Sequence, residues 1–208
     1  MTPSPTPSND SRDAKRLGFF GGSFDPLHLG HIELAKVVVE KAQLEGLYFV
    51  PAARNPLKER GPIASGELRL EMIRAAVRGE PKLDVIDWEL DQPLPSYTRR
   101  TVAHLRERFS GAALHWLIGA DQLPTLDQWG EIELLVNEVT FIVVARPGSE
   151  QSLPNLAGLQ ATWIEAPTFN ISSTMIRERL AVGLPIDNLV SLPVLNTLQN
   201  NPDLYSSS

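Results

Sequence analysis

Short apolar runs that alternate with stretches of helical period constrain this chain more than any other feature. The runs Leu17–Phe20, Leu47–Val50, Leu83–Ile86, Leu114–Ile118, Thr140–Val144 and Ala161–Ile164 are rich in β-branched and aromatic residues and bounded by Gly, Pro or charge, the pattern of buried strands. Between them Ile32–Ala42, Glu67–Val77, Thr98–Phe109 and Glu131–Val136 repeat apolar residues at helical spacing, as Val102, Leu105 and Phe109 do. A chain that alternates strand and helix builds a parallel sheet covered on both faces. The predicted fold is therefore α/β, a Rossmann-like doubly wound parallel sheet. After the sixth run, Ser172–Val182 and Val194–Leu198 predict a small C-terminal helical segment. In open sheets of this kind ligands bind beyond the carboxyl ends of the strands, near the point where strand order reverses.

With 208 residues the chain fits one domain able to bury a genuine core. That domain is placed at 16–200, between a disordered N-terminal tail over 1–15 and a frayed end over 201–208 that closes in Ser-Ser-Ser. The opening MTPSPTPSNDSRDAK is rich in Pro, Ser and charge and has no apolar centre of the kind a signal peptide needs. No apolar run approaches the roughly 20 residues of a membrane span, so neither export nor a membrane partner is expected. The absence of cysteine removes disulfides, thiolate metal sites and a cysteine nucleophile, which suits a cytoplasmic protein. A net charge of −6 argues against nucleic acid as a partner, since that binding needs a basic face. A phosphate ligand would require locally placed donors. The oligomeric state is left open, a homo-oligomer included.

The richest segment follows the first run: Gly21-Gly22-Ser23-Phe24-Asp25-Pro26-Leu27-His28-Leu29-Gly30-His31 leads directly into a helix. Paired glycines at a strand end let backbone approach a ligand closely, and a helix N-terminus offers free N–H groups to an anion. His28 and His31 are three residues apart, so on a first helical turn both imidazoles would face one side, with Gly30 leaving room between them. An isolated pair of this kind is more often a turn cap and an ordinary surface histidine. Zinc is set aside, because helical zinc histidines usually sit four apart and no third ligand is apparent. A second segment, Asn170-Ile171-Ser172-Ser173-Thr174-Met175-Ile176-Arg177, sets three hydroxyls at a helix start with Arg177 one turn in. One hydroxyl is accounted for as an N-cap. Three hydroxyls with an arginine fork suit a triphosphate.

Together GGSFDPLHLGH and ISSTMIR resemble the nucleotidyltransferase superfamily. Pro95-Ser96-Tyr97-Thr98, then Ile118-Gly119-Ala120-Asp121 with Leu126 and Trp129, and Thr168-Phe169-Asn170 resemble the bacterial nicotinate-nucleotide adenylyltransferases within it, over about Leu17 to Leu198. The resemblance implies a sheet of the nucleotidyltransferase type and transfer of the adenylyl group of ATP to nicotinate mononucleotide in NAD biosynthesis. It further implies that Gly21, Gly22, Ser23, Phe24 and Gly30 line the ATP site and that His28 and His31 touch its phosphates. Ile171, Ser172, Ser173, Thr174 and Arg177 would hold the triphosphate from the other side, and Gly119 and Asp121 would meet the ribose. Tyr97, Thr98 and Trp129 would frame the acceptor's pyridine ring. Lys58, in Asn55-Pro56-Leu57-Lys58 where many members carry a histidine before the lysine, would steer acceptor phosphate or be a solvated loop lysine.

No metal ligands are expected from the protein. Magnesium (Mg2+) would be held mainly by ATP phosphates and water. Arg146, after the fifth run, would meet phosphate or solvent with equal ease, and His104 and His115 are assigned no chemistry. Two rivals stand beside this reading: a transferase on the same scaffold that uses a pantetheine phosphate acceptor, and a sensor that binds ATP without turnover.

Overall fold

The structure, a computed structural model, describes residues 14–57, 60–148 and 151–206. Most of the proposed N-terminal tail, and Lys58, lie outside the described residues. The six expected strands are all present: β1 (Arg16–Gly22), β2 (Gly46–Pro51), β3 (Leu83–Val85), β4 (Ala113–Gly119), β5 (Thr140–Ala145) and β6 (Ala161–Glu165). Every pairing is parallel, in the order β3-β2-β1-β4-β5-β6. Strand order therefore reverses between β1 and β4, and their carboxyl ends, Gly22 and Gly119, flank the switch-point crevice.

Helices α1 (Leu29–Lys41) and α2 (Gly66–Val77) cover one face, where Ile32, Ala35, Val38 and Ile73 bury with Phe49, Leu117 and Ile142. Helices α3 (Thr98–Arg108) and α4 (Ile132–Leu135) cover the other, where Val102, Leu105, Ile132 and Leu135 bury with Phe19, Trp116, Phe141 and Val143. Alternate residues of β4 supply the two faces, Trp116 and Ile118 to one and Leu117 to the other. A third apolar cluster joins Met72 of α2 to α5 (Ser173–Ala181) and α6 (Leu192–Gln199), the expected C-terminal helices.

Three expectations are corrected. First, α1 begins at Leu29 rather than near Ile32, because the turn from β1 completes at His28, the N-cap. Second, the loop after β4 contains a 3-10 helix over Ala120–Gln128 that has no 3.6-residue period to betray it, with Pro124 inside. Third, 201–208 does not fray at 201: residues 202–205 form turns, and Tyr205 is only 6% exposed within the third cluster. A run of Asn, Pro and Asp gives no periodic signal. The segment is held instead by a contact with a residue near the other end of the chain.

Candidate active site

The glycine-rich turn after β1 brings backbone and imidazole to the switch point. Phe24 has φ of 48°, in the left-handed region, and its ring lies over Gly22, where an added Cβ would come within 2.8 Å of Phe24 Cζ. Glycine at 22 therefore permits the turn. The His28 and His31 rings stack with centroids 3.6 Å apart and planes inclined by 23°. The His28 backbone N–H donates to His31 Nδ1 at 3.3 Å, which makes Nδ1 an acceptor and leaves the ring proton on Nε2. Burial brings the His28 imidazole down to about 4. Burial, and then the neighbouring His28, hold His31 well below the usual imidazole range. Both rings are neutral near pH 7, so they offer N–H donors rather than cations. His28 Nδ1 is buried without a hydrogen-bond partner among the described residues.

The two sequence motifs meet in space. Ser172 caps α5, its hydroxyl accepting from Met175 N at 3.1 Å. Ser173 Oγ donates to the Pro26 carbonyl at 2.9 Å, and Arg177 Nη1 donates to the Asp25 carbonyl at 2.7 Å. Arg177 Nη2 also reaches Thr174 Oγ1 at 3.2 Å. Helix α5 is thus tied to the histidine turn by two long-range hydrogen bonds, while Ser172 and Thr174 remain exposed. Ile171 packs on the third apolar cluster. Gly30 passes close beneath Phe169, 3.2 Å separating the Phe169 Cβ from the Cβ that Gly30 lacks.

Next to this junction opens a cavity of about 550 Å³ lined by Gly21, Gly22, Ser23, Tyr97, Thr98, Asp121 and Trp129 among others. Tyr97 lies against Gly130, with 2.7 Å from the Tyr97 ring to the missing Cβ, and the Arg100 guanidinium carbon stands 5.2 Å from the Tyr97 ring centroid. Half-buried Trp129 packs edgewise on Phe141. Asp121 is exposed at the mouth, its carboxylate turned over Gly119. The histidine pair does not line this cavity; the two regions share the strand end Gly21–Ser23. Arg146 is exposed beyond β5, His104 stacks on Trp88 at 4.7 Å, and His115 is buried in β4.

Sequence reasoning missed three residues that hold these parts in place. Arg69 is fully buried in α2 and donates from Nη1 to the carbonyls of Ser23 at 2.7 Å and Ala52 at 2.9 Å. Its position on the apolar stripe with Met72 and Ile73 was the available signal. Asp25 accepts from Ile63 N at 2.7 Å and Ala64 N at 3.1 Å. Glu89 is buried in the cavity wall, where it accepts from Thr101 Oγ1 at 2.5 Å, and burial raises its carboxyl above the usual range. Nothing in the pattern around Glu89 marks it as an inward-facing carboxylate, because the 3-10 helix over Trp88–Asp91 is too short for a period to register.

Residues 19–179 match the model of the cytidylyltransferase-like family. The chain is 35% identical over 193 residues to the nicotinate-nucleotide adenylyltransferase of Bacillus subtilis, covering 93% of this chain and 100% of that protein. It is 38% identical to a protein of Rhodopirellula baltica named as a probable nicotinate-nucleotide adenylyltransferase, over 91% of this chain and 92% of that one. A Plasmodium falciparum nicotinic acid mononucleotide adenylyltransferase, solved with NaAD, superposes with a TM-score of 0.72 over 92% of this chain and 97% of that one; at 19% identity it shows a shared fold. By sequence, the chain belongs to the cytidylyltransferase-like family and, within it, to the nicotinate-nucleotide adenylyltransferases.

Proposed function

We propose that this protein transfers the adenylyl group of ATP to nicotinate mononucleotide, giving nicotinate adenine dinucleotide and pyrophosphate. The observation that carries the reading is the junction of the two motifs, with Ser173 and Arg177 bonded to the Pro26 and Asp25 carbonyls beside a cavity walled by Tyr97 and Trp129. A phosphate monoester is largely dianionic near neutral pH, its second pKa being about 6, so the acceptor needs no general base. What opposes reaction is repulsion between phosphates and the charge that grows on the departing pyrophosphate. Alignment and preorganised donors answer both.

In this reading the acceptor phosphate attacks the α-phosphorus of ATP in line, forming one P–O bond as the bond to pyrophosphate breaks. His31 Nε2–H and His28 donate to the triphosphate, Arg177 clamps it, and Ser172 and Thr174 add hydroxyl donors. Ser173, committed to Pro26, holds α5 in place. Gly119 and Asp121 face the ribose, and Tyr97, Thr98 and Trp129 frame the pyridine. The free N–H groups at the start of α3 suit a carboxylate. Among the described residues no three His, Asp or Glu side chains cluster as a metal cage, and Asp25, the carboxylate nearest the turn, is already engaged by backbone donors. Magnesium would be held mainly by ATP phosphates and water and would supply charge neutralisation. Among the same residues no helix is long and apolar enough to cross a membrane.

Pyrophosphate release from ATP and magnesium is the test, with nicotinate mononucleotide, nicotinamide mononucleotide and phosphopantetheine offered in parallel. Release with the nicotinate substrate alone is expected. Release only with phosphopantetheine would discard the pyridine pocket, and ATP binding without release would point to a sensor.

A further inference from the structure

Near the end of the chain, Tyr205 reaches the histidine turn through a buried contact. Tyr205 and Asp25 are 6% and 4% exposed, and the Tyr205 hydroxyl donates to Asp25 Oδ1 at 2.7 Å. The same Oδ1 accepts from Ala64 N, while Oδ2 accepts from Ile63 N. Asp25 thus gathers three donors from two distant segments, and its own backbone carbonyl receives Arg177. Arg69 runs alongside, joining the carbonyls of Ser23, Ala52 and Ala64. The bonds to Asp25 and to the Ser23 carbonyl fix the turn from which His28 enters α1, and Arg69 ties that turn to Ala52 and Ala64. Burial first, and then the Asp25 hydrogen bond, raise the Tyr205 pKa, so the hydroxyl keeps its proton throughout the working range.

We propose that Tyr205 is a positioning residue for adenylyl transfer, clamping Asp25 so that the turn before α1 presents His28 and His31 to the triphosphate in one geometry. The side chain has two separable parts. Its ring packs in the apolar cluster with Ile176, Ile186, Val194 and Leu198. Its hydroxyl alone reaches Asp25. Removing the ring would loosen the cluster, whereas removing the hydroxyl takes one of the three donors from the Asp25 carboxylate and leaves the packing in place. Among the described residues no hydrogen bond joins Tyr97 or Trp129 to Asp25 or Tyr205, so the effect should fall on ATP and spare the acceptor.

The inference rests on the adenylyl-transfer reading, and the test keeps the two apart. Tyr205→Phe and, as a control that weakens the same cluster without touching Asp25, Leu198→Val are assayed with ATP and nicotinate mononucleotide varied separately. ATP binding is also measured calorimetrically, which needs no turnover. Tyr205→Phe should lower kcat/KM for ATP and weaken ATP binding about fivefold, the equivalent of about 1 kcal/mol for one hydrogen bond, with KM for the acceptor unchanged. Leu198→Val should lower Tm and leave both substrates' KM values as they were. Equal behaviour of the two variants, or ATP binding by Tyr205→Phe within error of the wild type, would overturn the clamp. A wild-type protein that binds ATP but releases no pyrophosphate would sink the reaction instead, and calorimetry would still judge Tyr205.

Discussion

His31 is fixed in protonation and tautomer by its neighbours, and that decides what chemistry it can perform. Burial keeps it neutral, the His28 backbone N–H occupies Nδ1, and the ring's remaining N–H is the Nε2 donor. A neutral donor stabilises charge that develops during transfer without first paying to desolvate a cation. His31→Ala should therefore lower turnover by about 10²- to 10³-fold, the range for loss of one preorganised donor, with Tm little changed. Near wild-type pyrophosphate release by a folded variant would remove His31 from the site. That the His28 and His31 rings lie on one side was legible from their spacing, whereas a contact with phosphates was implied only by the resemblance. The protonation state was not legible, because it depends on burial and on a backbone donor whose direction the turn sets.

At the scale of elements, Glu89 joins two pieces of cavity wall. It accepts from Thr101 in the first turns of α3 and from Ser96, whose hydroxyl oxygen in turn accepts from Ala53 N at 3.0 Å and Arg54 N at 3.2 Å in the loop after β2. The segment Ser96–Thr98 is thereby pinned between a strand end and a helix start, where Tyr97 and Thr98 face the cavity. Glu89→Gln keeps the shape but replaces one acceptor oxygen with a donor. It should raise KM for the acceptor about fivefold, the value of roughly one hydrogen bond, and leave KM for ATP unaltered. A change in the ATP constant alone would contradict this assignment. The strands were readable as short apolar runs, because a sheet covered on both faces buries both sides of each strand, and the long helices from the 3.6-residue period that burial on one face imposes. The two 3-10 helices were not, since four to nine residues with an internal proline or several acids leave no face to detect.

For the whole molecule, three histidines held below the usual imidazole range by burial, His28, His31 and His115, tie stability to pH. Burial lowers His28 to about 4, and burial followed by the charge of Arg16 lowers His115 to about 4. Each is neutral when folded and takes up a proton near 6.5 when unfolded, so the stabilisation is complete above about 6.5 and is lost as pH falls toward 4. Each contributes up to about 1.4 kcal/mol per pH unit in that window. Urea unfolding at pH 7 and pH 5 should show the loss, with a shallower slope for His115→Phe, whose native ring nitrogens are both buried without partners among the described residues. Equal slopes for the variant and the wild type would refute the account of His115. The sequence by itself determined the alternation of strands and helices, and through it the parallel sheet and the strand ends near which the two motifs lie. Those features are written in local periodicity and in turn chemistry over neighbouring residues. The tertiary structure alone decided that Arg69, Glu89 and Tyr205 face inward, that α5 is bonded to the turn before α1, and that the chain's end closes on Asp25. These are contacts between residues as far apart as 180 positions, and no local pattern encodes which distant backbone carbonyl or carboxylate a side chain will meet.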